Sequence, residues 1–288
     1  MTIVELWQAY WQERSVAVAE TSQVHGYLQV QKWLERCPIQ DPEKGRLILL
    51  WLLQQEPKKS ALRIAFYLKT LYRWASQDDV ALVQRNYVAS FKLPKAPQTP
   101  DPTVIPEDLV PEVLVALRQS SSRSRFGHRW DLIAGFMLQT GLRTCEAFGL
   151  SWSDINWETR EATVHQNMTI THGLSPRTKT GRPRQVPLNA TAIKILTEVR
   201  QLSGEGELIF PWSRKSFMTT FRNSMARLVR DGVTPTRFRP YDLRHTNISA
   251  LLERGIPVTQ VAQWAGNSAQ MIWHHYAGTT KSYEMPDL

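Results

Sequence analysis

Apolar residues recur every three to four positions through most of the chain, the period of an amphipathic helix. In the first 90 residues the segments near 2–13, 21–36, 43–55, 59–77 and 80–90 carry this spacing and are rich in Leu, Ala, Trp and Gln. Pro38, Pro42 and Pro57 fall between some of them. The pattern predicts a small helical bundle over residues 1–93. Within 59–77, Leu62, Ala65, Phe66, Leu68 and Tyr72 are expected to face the core, with Lys59, Arg63, Lys69 and Arg73 on the other side. Trp7, Trp33, Trp51 and Trp74 sit at apolar helix positions and read as core fillers. The period then stops at "LPKAPQTPDPTVIP", where Pro94, Pro97, Pro100, Pro102 and Pro106 forbid a continuous helix. A linker is therefore expected over 94–106, with a second domain over 107–288. Helical spacing resumes at 107–118 and 129–139. It yields at 160–173 to a Thr-, Val- and Ile-rich run suited to a strand, and at 175–189 to two short extended pieces around a turn at Thr180-Gly181. From about 190 it returns, broken at Gly204/Gly206, Gly232/Pro235 and Gly255/Pro257. The expected fold class is mainly α: a helical N-terminal domain, then an α-rich domain with one small antiparallel sheet.

Composition changes this picture little, and charge changes it more. With 42% hydrophobic and 21% charged residues, the chain reads as globular. Its two cysteines, Cys37 and Cys145, are far apart in sequence and suggest neither a disulfide framework nor a zinc site. The opening "MTIVELWQAYWQERS" lacks the basic start and apolar stretch of a signal peptide, and "LILLWLL" is far short of the ~20 residues that span a bilayer. A cytoplasmic protein without a membrane role is expected. The net charge is +9, and the stretch from Arg177 to Arg244 holds 14 Lys and Arg against 5 Asp and Glu, so the whole excess lies there. A basic excess confined to one region suggests a polyanion held against one surface, nucleic acid before anionic membrane. A basic balance with no partner behind it is the alternative, and the basic side of 59–77 reads equally well as a solvated face.

Candidate chemistry gives that charge a purpose. "TGLRTCEAFGL" offers Arg143 with Glu146 three residues on, "RTKTGR" offers Lys179, "YDLRHT" offers Tyr241 and Arg244, and "WAGNSAQMIWHHYAG" offers Asn267 and Tyr276. Arginines with a lysine and a tyrosine suit metal-free attack on a phosphodiester. A guanidinium fork matches two phosphate oxygens and keeps its charge, so two such forks can neutralise a transition state. A phenol is a competent nucleophile once its proton is removed, and a lysine of lowered pKa can protonate a leaving sugar oxygen. His274-His275 have no Cys, Asp or Glu at ligand spacing, so no metal is expected, and no glycine pattern indicates a nucleotide cofactor. His25, His128, His165 and His172 read as packing or surface residues.

These motifs, in the order "TGLRTCEAFGLSWSDIN", "TKTGRPRQVPL", "YDLRHT", "AGNSA" and "HHYAG", resemble those of the tyrosine recombinase (phage integrase) family. The matched segments run from 140 to 276. The resemblance implies a helical DNA clamp followed by the family's catalytic fold, and strand exchange through a covalent 3′-phosphotyrosine and a Holliday junction without cofactor. It implies Arg143 and Arg244 as phosphate-holding arginines, Lys179 as general acid and Tyr276 as nucleophile, preferred to Tyr283 on its interval from Arg244 and its context. Glu146 becomes a buried support for Arg143, and His245 a packing and hydrogen-bonding residue. Two positions depart from the pattern: Tyr241 and Asn267 stand where the family usually has histidine. A tyrosine is a poor base at neutral pH, although its hydroxyl can hydrogen-bond to phosphate, and Asn267 can donate to a non-bridging oxygen. The Tyr-x-x-Arg box resembles that of cyanobacterial heterocyst-element excision recombinases. Lys59, Arg63, Lys69, Arg73, Arg177, Arg182, Arg184 and Arg239 are the expected contacts to double-stranded DNA. Family likeness further implies a homotetramer at synapsis, a monomer or weak oligomer when free, and room for an accessory directionality factor. Competing readings are a catalytically impaired DNA-binding regulator and a type IB topoisomerase-like enzyme.

Overall fold

The structure, a computed structural model, describes residues 1–15, 20–55, 57–95, 101–122, 128–169, 173–176, 181–203 and 206–276. The chain divides into two compact units, Met1–Thr99 and Pro100–Leu288. Lys179, Arg177, His172, Tyr283, the Thr180 side of the expected turn and the middle of the proline-rich stretch lie outside the described residues.

In the first unit, helices α1 (Ile3–Arg14), α2 (Glu20–Arg36), α3 (Gly45–Gln54) and α4 (Lys58–Ala75) form the expected bundle. The start of α1 is fixed reciprocally: Thr2 Oγ1 accepts from the Glu5 N–H at 3.2 Å, and Glu5 Oε2 accepts from the Thr2 N–H at 2.7 Å. Trp7 is wholly buried among Ile3, Leu6, Leu34 and Leu68, while Trp33, Trp51 and Trp74 pack partly buried against the same core. The buried stripe of α4 is Ala61, Ile64, Ala65, Leu68, Leu71, Tyr72 and Ala75. Phe66, expected inside, is 62% exposed, and Leu62 is half-buried. The reason is angular. The 61-64-65-68-71-72-75 ladder already fills the inward face, and Phe66 lies seven residues from both Lys59 and Arg73, on their side of the helix. A second expectation fails at 80–90, which forms turns and no helix. Ala81 adopts a left-handed φ of 44°, and the N–H groups of Leu82 and Val83 both return to Ala75 O, at 3.0 and 3.2 Å. The segment thus folds back over the end of α4 and buries Val83 and Val88.

The second unit begins with a 3-10 turn, Glu107–Leu109, and α5 (Val110–Ser122). Next come α6 (Trp130–Thr140), α7 (Thr144–Ala147), β1 (Ile155–Asn156), β2 (Glu161–Val164), β3 (Asn167–Met168), β4 (Leu174–Ser175) and β5 (Arg184–Pro187). Helices α8 (Ala190–Ser203), α9 (Arg214–Arg230), α10 (Pro240–Glu253), α11 (Val258–Ala265) and α12 (Ala269–Tyr276) complete it. Helix α6 is the centre of the core: Ile133, Ala134, Phe136 and Met137 have no exposed surface and pack among residues of α5, α8 and α9. The sheet is antiparallel in the order β1-β2-β5, with Ala162 opposite Val186, both buried. Where one sheet was expected, β3 and β4 form a separate two-stranded ribbon. Past β2 the side chain of Gln166 donates to Gly149 O at 2.8 Å and to Ser151 Oγ at 3.2 Å, so the chain is tied elsewhere before pairing resumes. A smaller cluster of Ile248, Leu252, Val261, Ala262, Ala265, Ile272 and Tyr276 joins α10, α11 and α12. Among the described residues no helix is long and apolar enough to cross a membrane.

Candidate active site

Two helix ends and one strand start build the site. Helix α6 stops at Gly141, whose φ of 65° is the left-handed conformation that glycine adopts without strain. Two residues later Arg143 is extended (φ −67°, ψ 148°) and leads into the short α7. Glu146, 1% exposed, accepts the Arg143 backbone N–H on Oε2 at 3.0 Å and Arg143 Nη1 on Oε1 at 2.9 Å. The same carboxylate accepts Arg184 Nη1 on Oε1 at 3.0 Å and Arg184 Nη2 on Oε2 at 2.7 Å. Burial works to raise the Glu146 pKa, but the Arg184 hydrogen bonds and the charges of Arg184 and Arg143 outweigh it and hold it below the ordinary value.

The C-terminus of α11 gathers three arginines on three successive carbonyls. Arg184 Nε donates to Trp264 O at 2.8 Å, Arg244 Nη2 to Ala265 O at 2.6 Å, and Arg143 Nη2 to Gly266 O at 2.9 Å. Such carbonyls lack partners within their own helix and carry the negative end of its dipole, so cations are favoured there. Gly266 sits at φ 64°, and a Cβ on it would lie 2.9 Å from Arg184 Cζ. Arg244 also donates from Nη1 to Gly141 O at 2.7 Å, bridging the ends of α6 and α11. It is 1% exposed, and among the described residues its Nε has no acceptor. Burial and then the nearby Arg143 charge lower its pKa to about 10, still high enough to keep the guanidinium charged at neutral pH. Arg143 Nη2 also donates to Asn267 Oδ1 at 2.7 Å, which fixes the amide and leaves Nδ2 as its outward donor.

Tyr276 closes α12 and is 5% exposed. Its hydroxyl meets Nδ1 of His245 on α10. Burial raises the phenol's pKa, and the Arg244 charge works against that rise. Tyr241, 42% exposed, packs edge-on to His245 with ring centroids 4.8 Å apart at 75°, and the Arg244 Cζ lies 6.0 Å from the Tyr241 ring centroid.

Of the residues singled out from sequence, the structure thus brings together Arg143, Glu146, Tyr241, Arg244, His245, Asn267 and Tyr276. Arg184 is a correction. Expected on a DNA-facing surface, its side chain is 7% exposed and committed to Glu146 and Trp264 O, because Arg184 shares the inward face of β5 with buried Val186. That two-residue alternation was the signal available in the sequence. Lys69 also departs from expectation, donating to Phe91 O at 2.6 Å from a half-buried position. Lys59, Arg73, Arg182 and Arg239 are exposed, as is Arg63, which donates to Gln29 Oε1. His128 stacks on Trp130, with centroids 4.7 Å apart, and His165 Nε2 meets Asp154 Oδ1 at 2.8 Å. Among the described residues, no group of three or more His, Cys, Asp or Glu side chains could hold a metal ion.

Residues 107–282 match the model of the phage integrase family. The chain belongs to that family. The family match spans the whole arginine cluster and Tyr276. Among its relatives is a tyrosine recombinase XerC-like protein of Caldanaerobacter subterraneus subsp. tengcongensis, 26% identical over 247 residues, which are 75% of this chain and 61% of the relative. The integrase of Salmonella phage P22 is 26% identical over 155 residues, 49% of this chain and 37% of its own length. The chain therefore spans less than two thirds of the curated relatives it matches. Among solved structures, the Tn1549 transposon integrase in complex with transposon right end DNA superposes with a TM-score of 0.76 at 18% identity, over 96% of this chain and 95% of that one. A lambda integrase tetramer bound to a Holliday junction gives 0.69 at 19% identity, over 93% and 78%. The family's fold is this chain's fold: predominantly helical, with a small antiparallel sheet.

Proposed function

We propose that this chain is a site-specific DNA recombinase that cleaves and rejoins DNA through Tyr276. The observation that carries the reading is the meeting of Arg143 and Arg244 on the adjacent carbonyls of Gly266 and Ala265, with Asn267 beside them and Tyr276 at the end of the next helix. In this reading Arg143 and Arg244 grip the non-bridging oxygens of one phosphodiester, and Arg244 Nε, without an acceptor among the described residues, and Asn267 Nδ2 supply further donors. Tyr276 Oη attacks phosphorus, the bond to the 5′-oxygen breaks, and Lys179 protonates that oxygen. The product is a 3′-phosphotyrosine whose ester conserves the energy of the broken bond, so neither metal nor ATP is needed. Tyr276 and Arg244 are both almost fully covered, so engaging DNA must first uncover them.

Residues 1–93 act as a helical DNA clamp and 107–288 as the catalytic domain, joined through 94–106. Four protomers synapse two sites and exchange strands in pairs through a Holliday junction; the lambda integrase tetramer supports this. An accessory directionality factor biases integration against excision, and the protein works at the nucleoid. The Tyr241-x-x-Arg244 box supports kinship with the heterocyst-element excision recombinases. A plasmid carrying two copies of the DNA that flanks its gene tests the function. A deletion circle is expected, whereas relaxed circles alone would mean a topoisomerase-like enzyme, and unaltered plasmid a regulator.

A further inference from the structure

Cleavage by Tyr276 needs a place for the phenol's proton, and the residue three before Arg244 offers none. Tyr241 carries a phenol, and a phenol is a poor proton acceptor at neutral pH. It is 42% exposed, and its ring is turned edge-on to its neighbour one helical turn later, His245. His245 touches the Tyr276 hydroxyl, through Nδ1. The ring planes of His245 and Tyr276 are 43° apart with centroids 5.7 Å apart, a tilted arrangement and not a stack.

We propose that His245 is a catalytic residue of this recombinase, the general base that takes the Tyr276 proton in place of the histidine the family usually carries at position 241. The inference rests on the recombinase reading above and goes beyond the packing and hydrogen-bonding role expected for His245 from sequence. In the tautomer with the proton on Nε2, Nδ1 accepts from the phenol. The groups facing the ring from α10 and α12 are Arg244, Arg239 and His275, with the phenols of Tyr241 and Tyr276. Burial, and then these positive charges, bring the imidazole down to about 4, so it is neutral and able to accept at pH 7. A scissile phosphate bound by Arg143 and Arg244 adds a negative charge to this cationic cluster and raises the proton affinity of Nδ1 at the moment it is needed. As the Oη–P bond forms and the P–O5′ bond breaks, the phenolic proton passes to Nδ1, and the leaving oxygen takes its own from Lys179. On rejoining, an incoming 5′-hydroxyl gives its proton back to the Lys179 amine and attacks phosphorus, the P–Oη bond breaks, and the His245 imidazolium returns the proton to Oη.

The test is the rate of covalent adduct formation on a nicked suicide duplex. His245→Asn keeps an acceptor of similar shape but cannot take a proton. It is expected to slow the adduct by about 10²-fold or more with DNA affinity unchanged. Adding Tyr241→His to that variant restores at least about tenfold, and added imidazole accelerates His245→Ala. A His245→Asn rate within about threefold of the native rate overturns the proposal, as does a slowed variant that neither imidazole nor Tyr241→His moves, the mark of a packing role. No adduct from the native protein overturns the recombinase reading itself, and this one with it.

Discussion

Arg184 and Glu146 meet through two hydrogen bonds, 3.0 and 2.7 Å long, although 38 residues separate them in sequence. The pair makes β5 part of the site, since the carboxylate that receives Arg184 also receives Arg143. Removing one partner of a buried ion pair leaves the other uncompensated, at about 3–5 kcal/mol. Arg184→Met should destabilise the catalytic unit by up to that amount in urea or thermal melts, since Arg143 still pairs with Glu146, and Arg184→Lys should recover little, because an ammonium cannot reproduce the fork. The Glu146 pKa lies below its ordinary value, so its share of stability is present above about pH 4.5 and disappears as pH falls through the folded-state value. Glu146→Gln should flatten that acid limb.

Gly266 gives a cleaner test of the arginine cluster. A side chain there would adopt left-handed φ, which costs roughly 1–2 kcal/mol, and would also displace the Arg184 guanidinium. Gly232, at φ 74° with nothing among the described residues within 4 Å of its would-be Cβ, supplies the conformational penalty alone. Gly266→Ala should therefore lower the melting temperature more than Gly232→Ala and slow cleavage, while the second leaves cleavage alone.

His245 should leave a mark on stability as well. Its folded-state pKa near 4 lies below the ordinary 6.5, so between those values the unfolded chain holds a proton that the folded one does not. Its contribution is complete above about pH 6.5 and is lost as pH falls toward 4. The melting temperature of the native protein should drop faster across that window than that of His245→Gln.

On α4 the exposed face predicts how binding depends on salt. Lys59→Ala and Arg73→Ala should each reduce the slope of log affinity against log salt by about 1 if each neutralises one phosphate. Lys69→Ala should cost stability instead, since its ammonium caps Phe91 O. Phe66→Ala should leave melting unchanged, in contrast to Leu68→Ala.

What the sequence made legible was set by the range of the signal. Helix period, proline breaks and ordered motifs are local, and they placed the bundle, the helices of the second unit and the group Arg143, Arg244, Asn267 and Tyr276. Contacts that tertiary packing alone creates were not legible. Arg184 sat in a basic run and read as a DNA contact until β5 turned it toward Glu146. Phe66 had an apolar side chain at near-helical spacing, but its position relative to Lys59 and Arg73 outweighed its type. The segment 80–90 had helical spacing, and the return of Leu82 and Val83 to Ala75 O claimed its backbone first. His245 read as a packing and hydrogen-bonding residue beside Arg244, but its partner was not legible, because nothing local ties it to a phenol on another helix.

The account stands most directly on Tyr276. Incubating the native protein with a nicked suicide duplex bearing its site, then denaturing and resolving the products, should show a slowly migrating species in which a peptide containing Tyr276 carries a 3′-phosphate. Tyr276→Phe should bind the same duplex with equal affinity and give none. An adduct that persists in Tyr276→Phe, or a native protein that binds the site tightly and never forms one, would contradict the account.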